Sequence, residues 1–337
     1  MSRPMKSMAQ SRQYMAEIVG EESQHGQRMQ AGAILDLMDV LAGKVAATHA
    51  SSPVVTLSFD RVDLVHPVFH QDLVRLEGQV VSVGNSSILV ALDVFRQDFL
   101  SREYLPIQHS YVTMVAIDGN MKSNRDIPGL EINTPQERQA HEQALLHRER
   151  SAECLRNLEQ AEQKTGLTVE EVEEQFNRDK SEYLSPERTE VRVRRLFMPR
   201  NLNVLGTIFG GDILLWMDRV ATQTARQFTR NRNVITLAMN RIFFRQPIFT
   251  TDMVEMVARV VYVRRYTLEV AVNVTLQRAD GTELESHSGY FTVLNYDEAG
   301  FKRPIITGLR LDEKDQQGLK QYYLARLRHN FWRGEAG

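Results

Sequence analysis

At 337 residues the chain exceeds what one ordinary hydrophobic core supports, and its size points to about two domains. With 42% hydrophobic and 25% charged residues it has the composition of a soluble globular protein, and a net charge of −2 argues against a general nucleic-acid binder. No apolar run approaches the ~20 residues a bilayer-spanning helix needs, so no membrane insertion is expected.

The N-terminal residues lack the apolar core of a secretory signal. Their basic, acid-poor first dozen leaves a mitochondrial presequence open beside a cytoplasmic location. A loop then enters a helix over about 31–49, and strands rich in Val, Ile and Phe follow. Cys154 is the only cysteine, which rules out an intramolecular disulfide and fits a reducing compartment. It lies in a charged helical segment without catalytic spacing and reads as structural. Between about 131 and 189, Thr134-Pro135-Gln136-Glu137 and Thr168-Val169-Glu170-Glu171 are capping boxes, so two charged helices are expected there as a linker. The stretch Asn201 to Phe228 runs from a polar loop through Gly210 and Gly211 into a helix over about 211–229. Ile213, Leu214, Met217, Val220, Ala221 and Ala225 form its apolar face. Glycines at that entrance leave the first helical N–H groups free to meet a ligand oxygen, at an end carrying roughly half a positive charge. Alternating strands follow again, at Arg259–Val263 and Leu268–Leu276. From Leu311 to Trp332 a terminal helix is expected to pack through Leu319, Tyr323, Leu324 and Leu327.

The chain is a duplication. At an offset of 180, Val54, Thr56, Leu57, Arg61, Pro67, Phe69 and Asp72 recur without a gap as Val234, Thr236, Leu237, Arg241, Pro247, Phe249 and Asp252. At an offset of 179, Gly32, Ile34, Leu35, Met38 and Asp39 face Gly211, Ile213, Leu214, Met217 and Asp218, and Tyr111 and Thr113 face Tyr290 and Thr292. Each copy reads as one long helix followed by four or five antiparallel strands, an α+β unit in which a sheet wraps a helix. The expected domains are 1–130, a linker at 131–189, 190–310, and a C-terminal helix at 311–337.

In the second copy, Asn201-x-Asn203-x-x-Gly206-x-x-x-Gly210-Gly211 is followed by Trp216-Met217-Asp218, Thr236 and Pro247-x-x-x-x-Asp252. This pattern closely resembles the hot-dog acyl-CoA thioesterases. The duplicated layout with a helical linker is similar to their tandem members, including the mitochondrial long-chain type. The resemblance covers about two thirds of the chain and is degraded in the first copy. It implies two tandem hot-dog domains, hydrolysis of acyl-CoA to free acid and CoA, no metal, no cofactor beyond CoA as part of the substrate, and a homo-oligomer, a trimer of two-domain chains.

The family carries Asp-x-Asn-x-x-Gly before the helix, with the aspartate of one hot dog and the asparagine of its partner facing one site. Here Asn201 stands at the aspartate position and Asn203 matches the asparagine. Carried back by 179, Glu22 takes the acid position and Gln24 the amide position, with Glu21 as the rival if the register slips by one. A thioester releases a thiolate, whose pKa is about 8.5, so the chemistry needs an oriented water, a base and oxyanion donors more than a strong acid. Glu22 is then the base, or a nucleophile toward the carbonyl carbon. Asn203 holds the water or carbonyl, and the helix entrance at Gly211 receives the oxyanion. Asparagine before a helix is equally a cap. Only the Glu22–Asn203 pairing contains a carboxylate, whereas Asn201 with Gln24 has none, so one working site per chain is expected.

For the CoA head, Gly84-Asn85-Ser86-Ser87 resembles the family's Gly-x-Ser-Ser/Thr turn. In the second copy Arg264-Arg265-Tyr266-Thr267 takes its place, with guanidiniums suited to phosphate or simply solvated on a hairpin. Arg61 and Arg241 recur at one repeat position, as a structural ion pair or a phosphate contact. Two rivals stand beside hydrolysis. One is a catalytically silent acyl-CoA sensor or scaffold. The other is a hot-dog hydratase or dehydratase, which needs Asp and His at the helix entrance, where His25 is the only histidine near either loop.

Overall fold

The computed structural model describes residues 3–20, 28–98 and 100–334. In the first unit, helix α1 (Ala31–Ala50) is preceded by strand β1 (Gln13–Ile18). It is followed by β2 (Val54–Phe59), β3 (Val62–Asp63), β4 (Leu73–Val83), β5 (Ser87–Gln97) and β6 (Tyr104–Ala116). Helix α2 (Pro135–Glu162) links it to β7 (Val191–Leu196) and α3 (Gly210–Thr229). Then come β8 (Val234–Met239), β9 (Ile242–Phe243), β10 (Met253–Val263), β11 (Thr267–Gln277), β12 (Glu283–Asn295) and the terminal helix α4 (Gln316–Arg333).

Two antiparallel six-stranded sheets result, in the orders β9-β2-β6-β5-β4-β1 and β7-β10-β11-β12-β8-β3. Each wraps its own helix, and the two are tandem hot dogs. The short strands are exchanged. β9 of the second unit pairs with β2, Ile242 opposite Phe59, while β3 of the first pairs with β8, Val62 opposite Met239. Because 62 and 242 are repeat equivalents, this exchange lies on a pseudo-twofold axis. Arg61 and Arg241 flank it. Arg61 donates to Asn240 Oδ1 at 2.7 Å and also grips Asp63, while Arg241 Nε meets Asp60 Oδ1 at 3.1 Å. Asp60 and Asn240 are repeat equivalents too, so the recurrence of the arginine follows from reciprocal pairing across the axis.

The helices carry the shared core. On α1, Ile34, Leu35, Met38, Leu41 and Val45 are buried; on α3, Ile213, Leu214, Met217, Val220, Ala221 and Ala225 are. Each large aliphatic side chain contributes about 1.5–3 kcal/mol by leaving water. The helices approach through glycine. A Cβ on Gly32 would come 2.8 Å from Leu215 Cα, and one on Gly211 would come 2.8 Å from Asp36 Cα and closer still to its Oδ1.

The linker departs from expectation. Both capping boxes form, but the second starts only a four-residue turn, Val169–Val172, so one long helix and two short turns replace two helices. α2 also does more than span. Ala144 packs on Val81, Leu89, Ala91 and Tyr111, on the sheet face turned away from α1. α4 packs through the buried Leu319, Tyr322 and Leu324, with Tyr323 half-buried against the same core, and its Arg328 is buried against Glu269 with the guanidinium 3.5 Å from the Tyr290 ring centroid. Cys154 is buried on α2. Among the described residues no helix is long and apolar enough to cross a membrane.

Candidate active site

The loop before α3 is built by its asparagines. Asn203 Oδ1 accepts the N–H groups of Leu205 at 2.9 Å and Thr207 at 3.2 Å, and its Nδ2 donates to Thr207 Oγ1 at 2.9 Å. Gly206 closes that turn at φ +75°, a conformation side chains resist, which explains the glycine three residues after the asparagine. Asn201 is buried and committed elsewhere. Its Oδ1 accepts from Met198 N–H and its Nδ2 donates to Asp212 Oδ1 at 2.8 Å, pinning the loop to the first turn of α3. Thus the residue at the family's acid position is a staple, and it does not line the cavity described next.

That cavity, of about 550 Å³, lies between the two units and is lined by Asp39, Thr56, Asn203, Gly210, Phe244 and His287, among others. Asp39, 4% exposed, projects from α1. Its Oδ2 accepts Gly211 N–H from the other unit at 2.8 Å, and its Oδ1 accepts Thr56 Oγ1–H at 2.7 Å. Thr56 sits where the β2–β6 register shifts, a bulge that re-aims its side chain. Burial pushes the Asp39 carboxyl above its ordinary value, more than the two hydrogen bonds lower it, with Asp212 adding a smaller upward push. A carboxylate so held is a stronger base than one in water.

The twin across the axis repeats the arrangement. Asp218 accepts Gly32 N–H at 2.9 Å and the Thr236 hydroxyl, again at a bulge, and burial raises its pKa too. Yet the space beside Asp218 is only about 10 Å³, and a separate pocket of about 140 Å³ reaches Thr236. The open half-site is the one that holds Asn203.

The family model described as Thioesterase superfamily matches residues 28–99 and 205–281. Acyl-coenzyme A thioesterase 11 of Mus musculus is 27% identical over 291 residues, 84% of this chain and 47% of that protein, so the chain spans about half the length of that relative. A solved acyl-CoA hydrolase from Staphylococcus aureus aligns at 28% identity over 47% of this chain and 96% of its own, with a TM-score of 0.43. The uncharacterized acyl-CoA thioester hydrolase YkhA of Bacillus subtilis (strain 168) is 31% identical over 132 residues, 37% of this chain and 76% of its own length. The chain belongs to the thioesterase superfamily.

Within this thioesterase-superfamily chain, the remaining expected residues fall in separate places. Glu22, Gln24, Glu21 and His25 lie outside the described residues. Gly211 N–H is taken by Asp39, so the free donor expected there is instead a clamp on the carboxylate. Gly84, Ser86 and Ser87 form the β4–β5 turn, closed by Gly84 N–H to Ser87 O at 2.8 Å. Arg264, Arg265 and Thr267 line a second cavity of about 590 Å³ with Arg61, Lys302 and Trp332. This basic cavity shares Leu64, Val65, Leu237 and Leu294 with a smaller one that reaches Thr236, so it adjoins the closed half-site. By the pseudo-twofold, the Gly84–Ser87 turn belongs with the open one.

Three site residues escaped sequence reasoning. Asp39 stood in plain sight as a repeat identity with Asp218, a carboxylate on an otherwise apolar helix face, and Thr56 with Thr236 likewise. His287 had no such signal, because its repeat equivalent is Gln108 and strand β12 is distant in sequence. Burial and Arg245 push the His287 imidazole down to about 3, and it stands 4.9 Å edge-on to Phe244.

Proposed function

We propose that the open inter-unit cavity hydrolyses acyl-CoA thioesters to a free acid and CoA. The observation that carries this reading is a buried, two-point-clamped Asp39 sharing an apolar cavity with Asn203 and the first turn of α3. In the reaction, Asp39 takes a proton from water as the water oxygen bonds to the thioester carbonyl carbon. Asn203 Nδ2, which carries a second hydrogen beyond its bond to Thr207, orients the carbonyl or the water. The N-terminal N–H groups of α3 around Gly210 stabilise the oxyanion. The tetrahedral intermediate collapses with the C–S bond breaking, and the leaving thiolate takes the proton. A thiol pKa near 8.5 makes this departure easy without a strong acid.

Gly84, Ser86 and Ser87 would meet the CoA phosphates of the productive complex, while Arg264, Arg265 and Thr267 would hold a nucleotide whose acyl end cannot reach Asp218. Arg61 and Arg241 act on the axis rather than on CoA. No resident cofactor takes part. Assembly into a homo-oligomer, a trimer of two-unit chains, and a cytoplasmic or mitochondrial location belong to the same proposal. Leu145 and Leu146, 42% and 66% exposed on α2, are apolar surface available to such an assembly. The test is release of free thiol from a panel of acyl-CoA esters. Stoichiometric acyl-CoA binding without thiol release would establish the sensor reading instead.

A further inference from the structure

The two half-sites are built from the same parts, yet one encloses about 550 Å³, whereas the other is divided into about 10 Å³ beside Asp218 and about 140 Å³ at Thr236. Four described repeat positions carry larger side chains on the filled side. On α1, Asp39 is followed one and two turns later by Gly43 and Ala47, both lining the open cavity. On α3, Asp218 is followed at the same spacing by Thr222 and Arg226, both lining the closed one. At the end of the last long strand Ile117 faces the open cavity, and its equivalent Tyr296 the closed one. In the entry loop Thr207 is matched by Arg28, whose guanidinium sits 4.6 Å from the Tyr296 ring centroid. The plug is packed firmly. Thr222 Oγ1 bonds back to Asp218 O at 3.0 Å, and Arg226 Nε is buried without a hydrogen-bond partner among the described residues. The molecule therefore contains its own comparison, in which larger side chains at positions 43 and 47 accompany a filled cavity.

We propose that Gly43 and Ala47 set the length of acyl chain the open cavity admits. The inference rests on the hydrolase reading for its substrate class, and on the cavity alone for its geometry. With the thioester carbon beside Asp39, a chain threading the α1 face passes residue 43 after about 6 Å and residue 47 after about 12 Å, at 1.5 Å of helix rise per residue. Side chains added at these points stop it at two different depths. Gly43 has open room beside it, since an added Cβ would meet only Met114 Cε, at 3.8 Å, so small substitutions there fold without displacing backbone.

The experiment compares wild type, Gly43→Thr and Ala47→Met across saturated acyl-CoA esters of graded length. In parallel, free fatty acids of the same lengths displace a fluorescent fatty-acid analogue. The longest efficient substrate becomes shorter in both variants, more so in Gly43→Thr, and esters ending before residue 43 keep their rate. Each methylene excluded costs about 10–200-fold in kcat/KM. The fatty-acid cut-off moves in step. An unchanged length profile in either folded variant, or one uniform loss at every length, overturns the proposal. If wild type releases no thiol while the fatty-acid cut-off still moves, the hydrolase reading falls and the length gate stands. Thiol release with an unmoved cut-off has the opposite meaning.

Discussion

Replacing Asp39 and, separately, Asp218 by asparagine tests the catalytic assignment with a control built into the chain. Both carboxyls are buried, both accept one threonine hydroxyl and one glycine N–H from the opposite unit, and burial raises both pKa values. Asparagine keeps the shape. Its oxygen still accepts the glycine N–H, and the threonine hydroxyl rotates to accept from the new amide nitrogen. The stability changes should therefore match. A carboxyl whose folded pKa is raised contributes stability below its unfolded pKa and loses it as pH rises through the folded value, so both variants should gain stability relative to wild type toward alkaline pH. The kinetics should not match. A positioned base contributes typically 10²–10⁴-fold, about 2.7–5.4 kcal/mol of barrier at 1.36 kcal/mol per tenfold. Asp39→Asn should lose that factor, while Asp218→Asn, beside only about 10 Å³ of space, should stay within roughly threefold of wild type, the scale of a substitution that removes no base. The assay is steady-state thiol release with thermal melts from about pH 4, near the ordinary aspartate value of 3.8, to pH 9, and Glu22→Gln run alongside. Equal losses in the twin variants would refute the reasoning. Near-wild-type turnover in Asp39→Asn with a dead Glu22→Gln would return the base to the first loop.

Three further outcomes follow from the same geometry. The acid limb of the kcat–pH profile should lie above the ordinary aspartate value of 3.8, with rate rising as Asp39 ionises, and the limb should vanish in Asp39→Asn. Gly211→Ala should destabilise by about 1–3 kcal/mol because its Cβ would meet Asp36, whereas Gly119→Ala, with nothing within 4 Å, should change the melt by less than about 0.5 kcal/mol. Arg328→Ala should cost about 3–5 kcal/mol in denaturant unfolding, since it strands the buried Glu269 carboxylate. An unchanged midpoint would show that Asn240, also bonded to Glu269, suffices.

The long helices were legible because an apolar face at three- and four-residue spacing is a local signal; expected at 31–49 and 211–229, they run Ala31–Ala50 and Gly210–Thr229. The linker was less so. A capping box starts a helix, but only the residues beyond it decide how far it runs, and after Thr168 it runs a single turn. At the site, Asn203 was readable as part of a loop motif, while the entrance glycine was read for the wrong partner. Gly211 and Asp39 meet across 172 residues of chain, and nothing local to either announces the hydrogen bond. Arg61 and Arg241 show the reverse case, where recurrence was visible but its cause, pairing across the axis, needed the fold. The expectation of one working half per chain had rested on which loop keeps a carboxylate. The structure offers a different physical ground, the filling of one cavity by Arg226, Tyr296 and Arg28.

The strand exchange of β3 and β9 binds the halves as a symmetric dimer would be bound, but within one covalent chain. In a dimer of identical subunits every substitution is written twice, so neither site can change without its twin. Fusion removes that constraint. Thr222 and Arg226 can fill one side while Gly43 and Ala47 leave the other open, and the second unit still serves the open side by presenting Gly211 N–H to Asp39. One gene copy is thereby released to drift as chemistry and retained as scaffold. A single excised unit would lose both the clamp on its carboxylate and the outermost strand of its sheet.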